Sequence, residues 1–232
     1  MGTLQSERMR RFQTAGLYLV TSQVLSAERT TPDIVKAALA GGVKLIQLRE
    51  KGLPIREYVK LAHGIREMTA RAGALLIIND RVDVALATEA DGVHLGQDDF
   101  PVCEARNLGP DLIIGVSTHS IEEALRAQED GASYINIGPI YRTGTKVWDG
   151  AFLGLDGLQA IASVTQIPFS VMGGIKTTHI PGLLKVGART IALVTAVTGA
   201  PDPEAAAREL LNMINAGSLP ALPKGHFPET AG

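Results

Sequence analysis

An α/β chain closed as an eight-stranded parallel barrel is the fold class this sequence predicts, and three observations carry that expectation. Short apolar and β-branched runs alternate with stretches of helical periodicity along the 232 residues. The runs lack the polar alternation of a half-solvated sheet, as expected when both faces of a strand are covered. Eight such units, at about 25 to 30 residues each, exhaust the chain and leave no room for a second domain. That favours a single-domain TIM (β/α)8 barrel over an open doubly wound sheet. The barrel is expected over residues 1–216. Residues 217–232 carry Pro220, Pro223 and Pro228 with little apolar periodicity and are expected to form a mobile tail.

Taken in order, residues 17–21 form the first strand, and Thr31-Pro32-Asp33 then offers a cap, with Pro32 at the first helical position of a helix reaching residue 40. Strand 43–48 and helix 55–72 repeat the pair; Tyr58, Val59, Leu61, Ala62, Ile65 and Met68 fall mostly at helical spacing. Strand 75–78 with helix 82–88, and strand 92–95 with helix 102–107, complete the first half. Strand 112–116 leads to helix 121–129, where Ser120 is the N-cap and Glu123 the third helical residue of a capping box. Strand 134–137, helix 155–163, strand 168–172, helix 179–186, strand 190–194 and helix 203–215 finish the series. Several helices end on glycine before the next strand, at Gly41-Gly42, Gly73, Gly131 and Gly187. The connection 138–154 is longer than the roughly two to six residues usual for such a loop, and long loops at a catalytic rim commonly serve as lids.

Composition narrows the function classes. A net charge of −2 provides no global field for nucleic acid or an anionic membrane surface, so any anion binding must be local. No run approaches the roughly 18 apolar residues that cross a bilayer, and the N-terminal stretch has Arg8, Arg10 and Arg11 without the apolar core of a secretory signal. A cytoplasmic protein is expected. The single cysteine, Cys103, rules out an internal disulfide framework and a cysteine-cluster metal site; beside Val102 and Ala105 it reads as a small core residue.

Chemistry gathers at the strand ends. Gln47, Arg49 and Lys51 alternate at the end of the second strand and so project to one side, toward the barrel mouth if in register. Two cations and an amide at period two suit an anion clamp, with a solvated strand end as the competing reading. Asn79-Asp80 ends the third strand and Asp98-Asp99 follows the fourth. Hard oxygen ligands from neighbouring strand ends suit Mg2+ held partly through phosphate and water. On spacing alone, though, a cap for helix 82–88 is the favoured role of Asp80.

His94, inside an apolar strand, reads as a buried histidine with its hydrogen bond satisfied. His119, just past the fifth strand, is a second-tier candidate; His63 and His226 are poor ones. Ser117 can donate to a phosphate oxygen or start a turn. Thr143, Thr145 and Lys146 in the long loop resemble a phosphate-gripping lid rather than a nucleotide P-loop, whose spacing is absent. Gly173-Gly174 after the seventh strand, together with Val194-Thr195 ending the eighth, fit the phosphate cradle that recurs at this place in such barrels. They are the most specific of these unaided signals.

In combination, segments 47–51 (QLREK), 79–80 (ND), 92–99 (GVHLGQDD), 115–117 (GVS), 138–146 (GPIYRTGTK) and 173–175 (GGI) are similar to the thiamine phosphate synthase family. Each motif is ordinary alone; together, in order and at barrel-compatible spacing from about residue 17 to about residue 211, they are specific. The resemblance implies a transferase that joins 4-amino-5-hydroxymethyl-2-methylpyrimidine diphosphate to 4-methyl-5-(2-phosphoethyl)thiazole or its carboxylated form. It implies that Gln47 contacts the aminopyrimidine, while Arg49, Lys51, Asn79, Ser117 and Lys146 hold the diphosphate, the catalytic groups among them being Arg49, Lys51, Ser117 and Lys146. Asp80 and Asp99 would bind Mg2+. Thr143, Thr145, Gly174, Val194 and Thr195 would receive the thiazole phosphate, and Asp98 has no assigned role.

The implied partners are small-molecule substrates, with no nucleic acid and no membrane; a homo-oligomer stays open. Three departures from the family pattern stand out: Thr195 where serine is frequent, Met172 before Gly173, and the lid continuation 147–152 (VWDGAF). A related barrel group that tautomerises the carboxythiazole phosphate would share the phosphate cradle. Against that alternative, Pro139 follows Gly138 where those relatives carry histidine. A non-catalytic binder of thiamine intermediates is the other alternative, and Arg49, Lys51, Asp80, Asp99 and Lys146 argue against it.

Overall fold

The computed structural model describes residues 3–144 and 149–217. Eight strands close into a parallel barrel: β1 (Leu17–Val20), β2 (Leu45–Leu48), β3 (Leu75–Asn79), β4 (Gly92–Leu95), β5 (Ile113–Thr118), β6 (Tyr134–Ile137), β7 (Phe169–Val171) and β8 (Thr190–Leu193). Each strand pairs with its sequence neighbour, and β8 returns to β1 with Leu17 opposite Ile191 and Leu19 opposite Leu193. Helix α1 (Thr3–Gln13) precedes the barrel. Then come α2 (Thr31–Ala40), α3 (Ile55–Arg71), α4 (Val82–Ala87), α5 (Val102–Leu108), α6 (Ile121–Glu129), α7 (Gly154–Val164), α8 (Ile180–Lys185), α9 (Thr195–Thr198) and α10 (Pro203–Ala216). The expected (β/α)8 barrel is the observed one. The expected tail, from residue 218 on, lies outside the described residues.

Strand parity sorts the core into two layers. Leu19, Ile46, Leu48, Leu76, Ile78, Val93, Ile135 and Val171 face outward and pack under the helices. Tyr18, Leu45, Leu75, Ile77, Ile113, Tyr134 and Ala192 face inward and fill the barrel. Both layers are dry, which is why the strands read as continuous apolar runs. Toward the strand C-termini, Gln47, His94 and Asn136 bring polar groups into the closed interior, each no more than 5% exposed. Burial of this kind demands hydrogen bonds.

The floor of the barrel is closed by α1, which the sequence pattern does not announce. Its Phe12 is fully buried and lies 4.1 Å, ring to ring, from Tyr134. Beneath it Asp91, 4% exposed, accepts from the Leu76 N–H and from Arg66, each at 2.9 Å, while Arg8 approaches within 3.3 Å.

Local chemistry sets the remaining turns. Helix α2 begins at Thr31, with Thr30 as N-cap in a capping box with Asp33, so the cap lies before the Thr31-Pro32-Asp33 signal rather than inside it. At α6, Ser120 accepts from the Glu123 N–H as expected, but the Glu123 carboxylate reaches back to the His119 N–H at 2.7 Å instead of that of Ser120. Gly131, at φ +90°, turns the chain from α6 toward β6, a backbone state that an L side chain resists. Cys103 is exposed and not a core residue, because the short helix α5 turns a different face inward and buries Ala105. Glu50 accepts from the Thr21 and Thr31 hydroxyls at 2.7 Å and from the Gln23 N–H at 2.8 Å, tying the β1 loop to the end of β2.

Candidate active site

The inward parity of β2 sends Gln47 into the barrel and Arg49 to the mouth, as their alternation predicts. Gln47 donates from Nε2 to the Tyr18 hydroxyl at 2.7 Å, and the Tyr18 and Tyr134 hydroxyls are 2.9 Å apart. Tyr134 meets His94 Nδ1 at 3.1 Å, and His94 Nε2 meets Ser117 Oγ at 3.0 Å. A Cβ at Gly115 would lie 2.1 Å from Tyr134 Cζ and 2.6 Å from His94 Nδ1, so only glycine leaves room for this chain. Burial pushes the His94 pKa down to about 4, with the Asp80 charge acting weakly the other way. His94 is therefore neutral near pH 7, with both ring nitrogens engaged, as expected of a buried structural histidine.

Beside this interior lies a carboxylate cluster. Asp80 follows β3 at φ +60°, an uncommon left-handed backbone that aspartate tolerates better than most residues, and its N–H donates to the His94 carbonyl at 2.8 Å. Its carboxylate accepts from the Lys51 ammonium. Helix α4 is not capped by Asp80: its N-cap is Arg81, with no side-chain cap hydrogen bond. The helix-cap role favoured by spacing alone is thus corrected, because the left-handed turn delivers the carboxylate to Lys51.

Asp99 accepts from the Gly96 N–H at 2.6 Å. Burial is the main cause that raises its pKa; the Gly96 N–H opposes this, and the neighbouring Asp80 carboxylate reinforces it. A carboxylate whose charge is disfavoured beside a second carboxylate fits a dication bound through one or two carboxylates and completed by phosphate and water. Among the described residues no group of three or more His, Cys, Asp or Glu converges, so these side chains alone would form only part of such a shell.

At the same rim a cavity of about 180 Å3 opens at the strand C-termini, lined in part by Arg49, Ser117, His119, Asn136, Thr143, Gly174, Val194 and Thr195. The start of the long connection approaches it through two backbone hydrogen bonds: the Ile140 N–H donates to the Met172 carbonyl and the Tyr141 N–H to that of Gly173, each at 2.9 Å. Gly174, at φ +62°, permits this contact, since a Cβ there would lie 2.2 Å from the Arg142 carbonyl oxygen.

The structure thus gathers Arg49, Ser117, Thr143, Gly174, Val194 and Thr195 around one cavity and sets Lys51, Asp80 and Asp99 together. Asn79 ends β3 next to Asp80, while Gln47 is buried on Tyr18 and does not line the cavity. Thr145 and Lys146 lie outside the described residues. Sequence reasoning missed Asn136, hidden in a strand noted only as apolar. The available signal was its position two residues after Tyr134, on the same inward face.

A closed (β/α)8 barrel with a cavity and paired carboxylates at its C-terminal rim has the architecture of the barrel enzymes, which build their sites at that rim. Residues 17–197 match the TMP-TENI family, thiamine monophosphate synthase. The chain belongs to this family, and with it to the transferases. It is 47% identical over 199 residues to the thiamine-phosphate synthase of Moorella thermoacetica, covering 85% of this chain and 95% of that one. With the thiamine-phosphate synthase of Chloroflexus aurantiacus it shares 46% over 206 residues, covering 89% and 95%. A solved thiamine phosphate pyrophosphorylase from Pyrococcus furiosus superposes with a TM-score of 0.83 at 38% identity, covering 90% of this chain and 98% of that one. Among the described residues no helix is long and apolar enough to cross a membrane.

Proposed function

We propose that this chain makes thiamine phosphate by joining 4-amino-5-hydroxymethyl-2-methylpyrimidine diphosphate to 4-methyl-5-(2-phosphoethyl)thiazole, or its carboxylated form, with release of diphosphate. The observation that carries this reading is that the Lys51–Asp80–Asp99 cluster and the cavity lined by Arg49 and Ser117 share the C-terminal rim of the barrel. The methylene C–O bond breaks with its electron pair going to diphosphate, and the aminopyrimidine ring supports the cationic methylene left behind. The thiazole nitrogen then supplies its lone pair to form the C–N bond, and the positive charge remains on the thiazolium.

In this reading Arg49, Lys51, Asn79, Ser117 and Lys146 meet the charge that grows on the departing diphosphate, and charge stabilisation of this kind is often the largest catalytic contribution. Mg2+ held by Asp80 and Asp99 would add neutralising charge at the same leaving group. Gln47, turned onto the Tyr18 hydroxyl, stands behind the aminopyrimidine site, and Thr143, Thr145, Gly174, Val194 and Thr195 hold the thiazole phosphate. The attacking nitrogen carries no proton, so no general base is needed. The commitment of both His94 nitrogens to Tyr134 and Ser117 agrees with that. The same reading carries small-molecule partners and a cytoplasmic setting, with the assembly state to be measured by light scattering.

The purified protein, supplied with both substrates and Mg2+, is expected to form thiamine phosphate and diphosphate in equal amounts and to stop on chelation. No product, with the thiazole phosphate still bound, would replace this reading by the non-catalytic binder.

A further inference from the structure

Asn136 stands on β6 between Ser117 of β5 and Ser170 of β7 in the sheet register. It is 4% exposed, lines the cavity, and its Oδ1 is buried with no hydrogen-bond partner among the described residues. The Ser170 hydroxyl is also unpartnered but does not line the cavity. A buried acceptor without a donor carries a desolvation penalty of roughly 1–3 kcal/mol, and native proteins keep few of them. An unpartnered acceptor on a residue that lines a ligand cavity is best explained by a donor on the ligand.

The proposed substrates differ sharply in what they can donate. The thiazole phosphate offers a ring nitrogen lone pair, a sulfur, a methyl and a phosphate but no N–H, and a carboxylate would add only another acceptor. The aminopyrimidine has one N–H group, its exocyclic amine. We infer that Asn136 is a specificity-determining residue whose Oδ1 accepts a hydrogen bond from this amine, an inference that rests on the synthase reading above. A pyrimidine with a carbonyl in place of the amine would set acceptor against acceptor, and a site built around a hydrogen bond rejects such an analogue strongly.

The test compares the wild type with Asn136→Ala, and with Asn136→Val as a strand-compatible second variant, on the aminopyrimidine diphosphate and its 4-oxo analogue. Each variant is expected to lose about 10- to 100-fold in kcat/KM on the amine and little on the oxo compound, so that the preference collapses. The KM for thiazole phosphate should stay unchanged, and the melting temperature of the ligand-free variant should hold or rise. A preference retained by the variants, or a change confined to the thiazole KM, would overturn the inference. If the wild type forms no thiamine phosphate, the synthase reading itself fails. Calorimetric binding of the aminopyrimidine diphosphate then decides for Asn136: weaker binding by the variants supports the contact, and equal binding refutes it.

Discussion

The two ends of the barrel both hold carboxylates, and they treat them in opposite ways. At the floor, Asp91 accepts from the Leu76 N–H and Arg66 of its own chain, and the Arg8 guanidinium stands 3.3 Å away as a counter-charge. At the mouth, Asp80 sits on a left-handed turn with a lysine as its ion-pair partner, and Asp99 is held above its ordinary pKa by burial and by the Asp80 charge beside it. The floor carboxylate completes the fold, whereas those at the mouth are left to be completed by something else. Backbone strain and perturbed charge concentrate where ligands bind, while satisfied pairs mark the scaffold.

The largest effect should come from breaking the floor. Asp91→Ala leaves Arg66 and the Leu76 N–H without their acceptor and Arg8 without its counter-charge, and a loss of roughly 3–5 kcal/mol in urea unfolding is expected, with turnover per folded molecule unchanged. A loss of turnover instead would erase the distinction between the two ends. At the mouth the pattern reverses: Asp80→Asn keeps the left-handed turn, which asparagine also tolerates, but should lower kcat by about 100- to 1000-fold with little change in melting temperature. Full turnover in that variant would remove Asp80 from the diphosphate site.

A third measurement sharpens the boundary between scaffold and site, through His94. Its folded pKa of about 4 lies below the ordinary value near 6.5, so in acid the unfolded chain takes up a proton that the folded one refuses. The stability present above pH 6.5 is therefore lost as pH falls toward 4, by roughly 3 kcal/mol from this residue, and the loss levels off below that. Urea titrations between pH 7 and pH 4 measure the slope, and His94→Gln should flatten it. An equal slope in the variant would place the acid sensitivity elsewhere.

The order of strands and helices was legible because its signals are local: apolar runs, helix-capping residues and glycines at helix ends. Helix α1 was not, since a plug whose inward face mixes Phe12 with Gln5 and Arg8 shows only a weak periodic face. The strand-end cations and carboxylates were visible for the same local reason, but their grouping was not. That Asp80 meets Lys51 rather than helix α4 depends on a backbone angle, and that Glu50 serves the β1 loop depends on partners roughly twenty to thirty residues away. Asn136 escaped because one polar residue in an apolar strand has no sequence signature until the barrel closes around it.

The buried chain from Gln47 to Ser117 also has a direction. Tyr18 already accepts from Gln47, so its single hydrogen has a partner only if it is given to Tyr134. Tyr134 must then donate to His94 Nδ1, which places the one proton of the neutral ring on Nε2, facing Ser117 Oγ. Ser117 Oγ accepts a hydrogen bond from that N–H, and its own hydroxyl hydrogen is free to turn toward the cavity. An amide on β2 thereby fixes the polarity of a hydroxyl on β5, and an anion entering the mouth meets a donor already oriented.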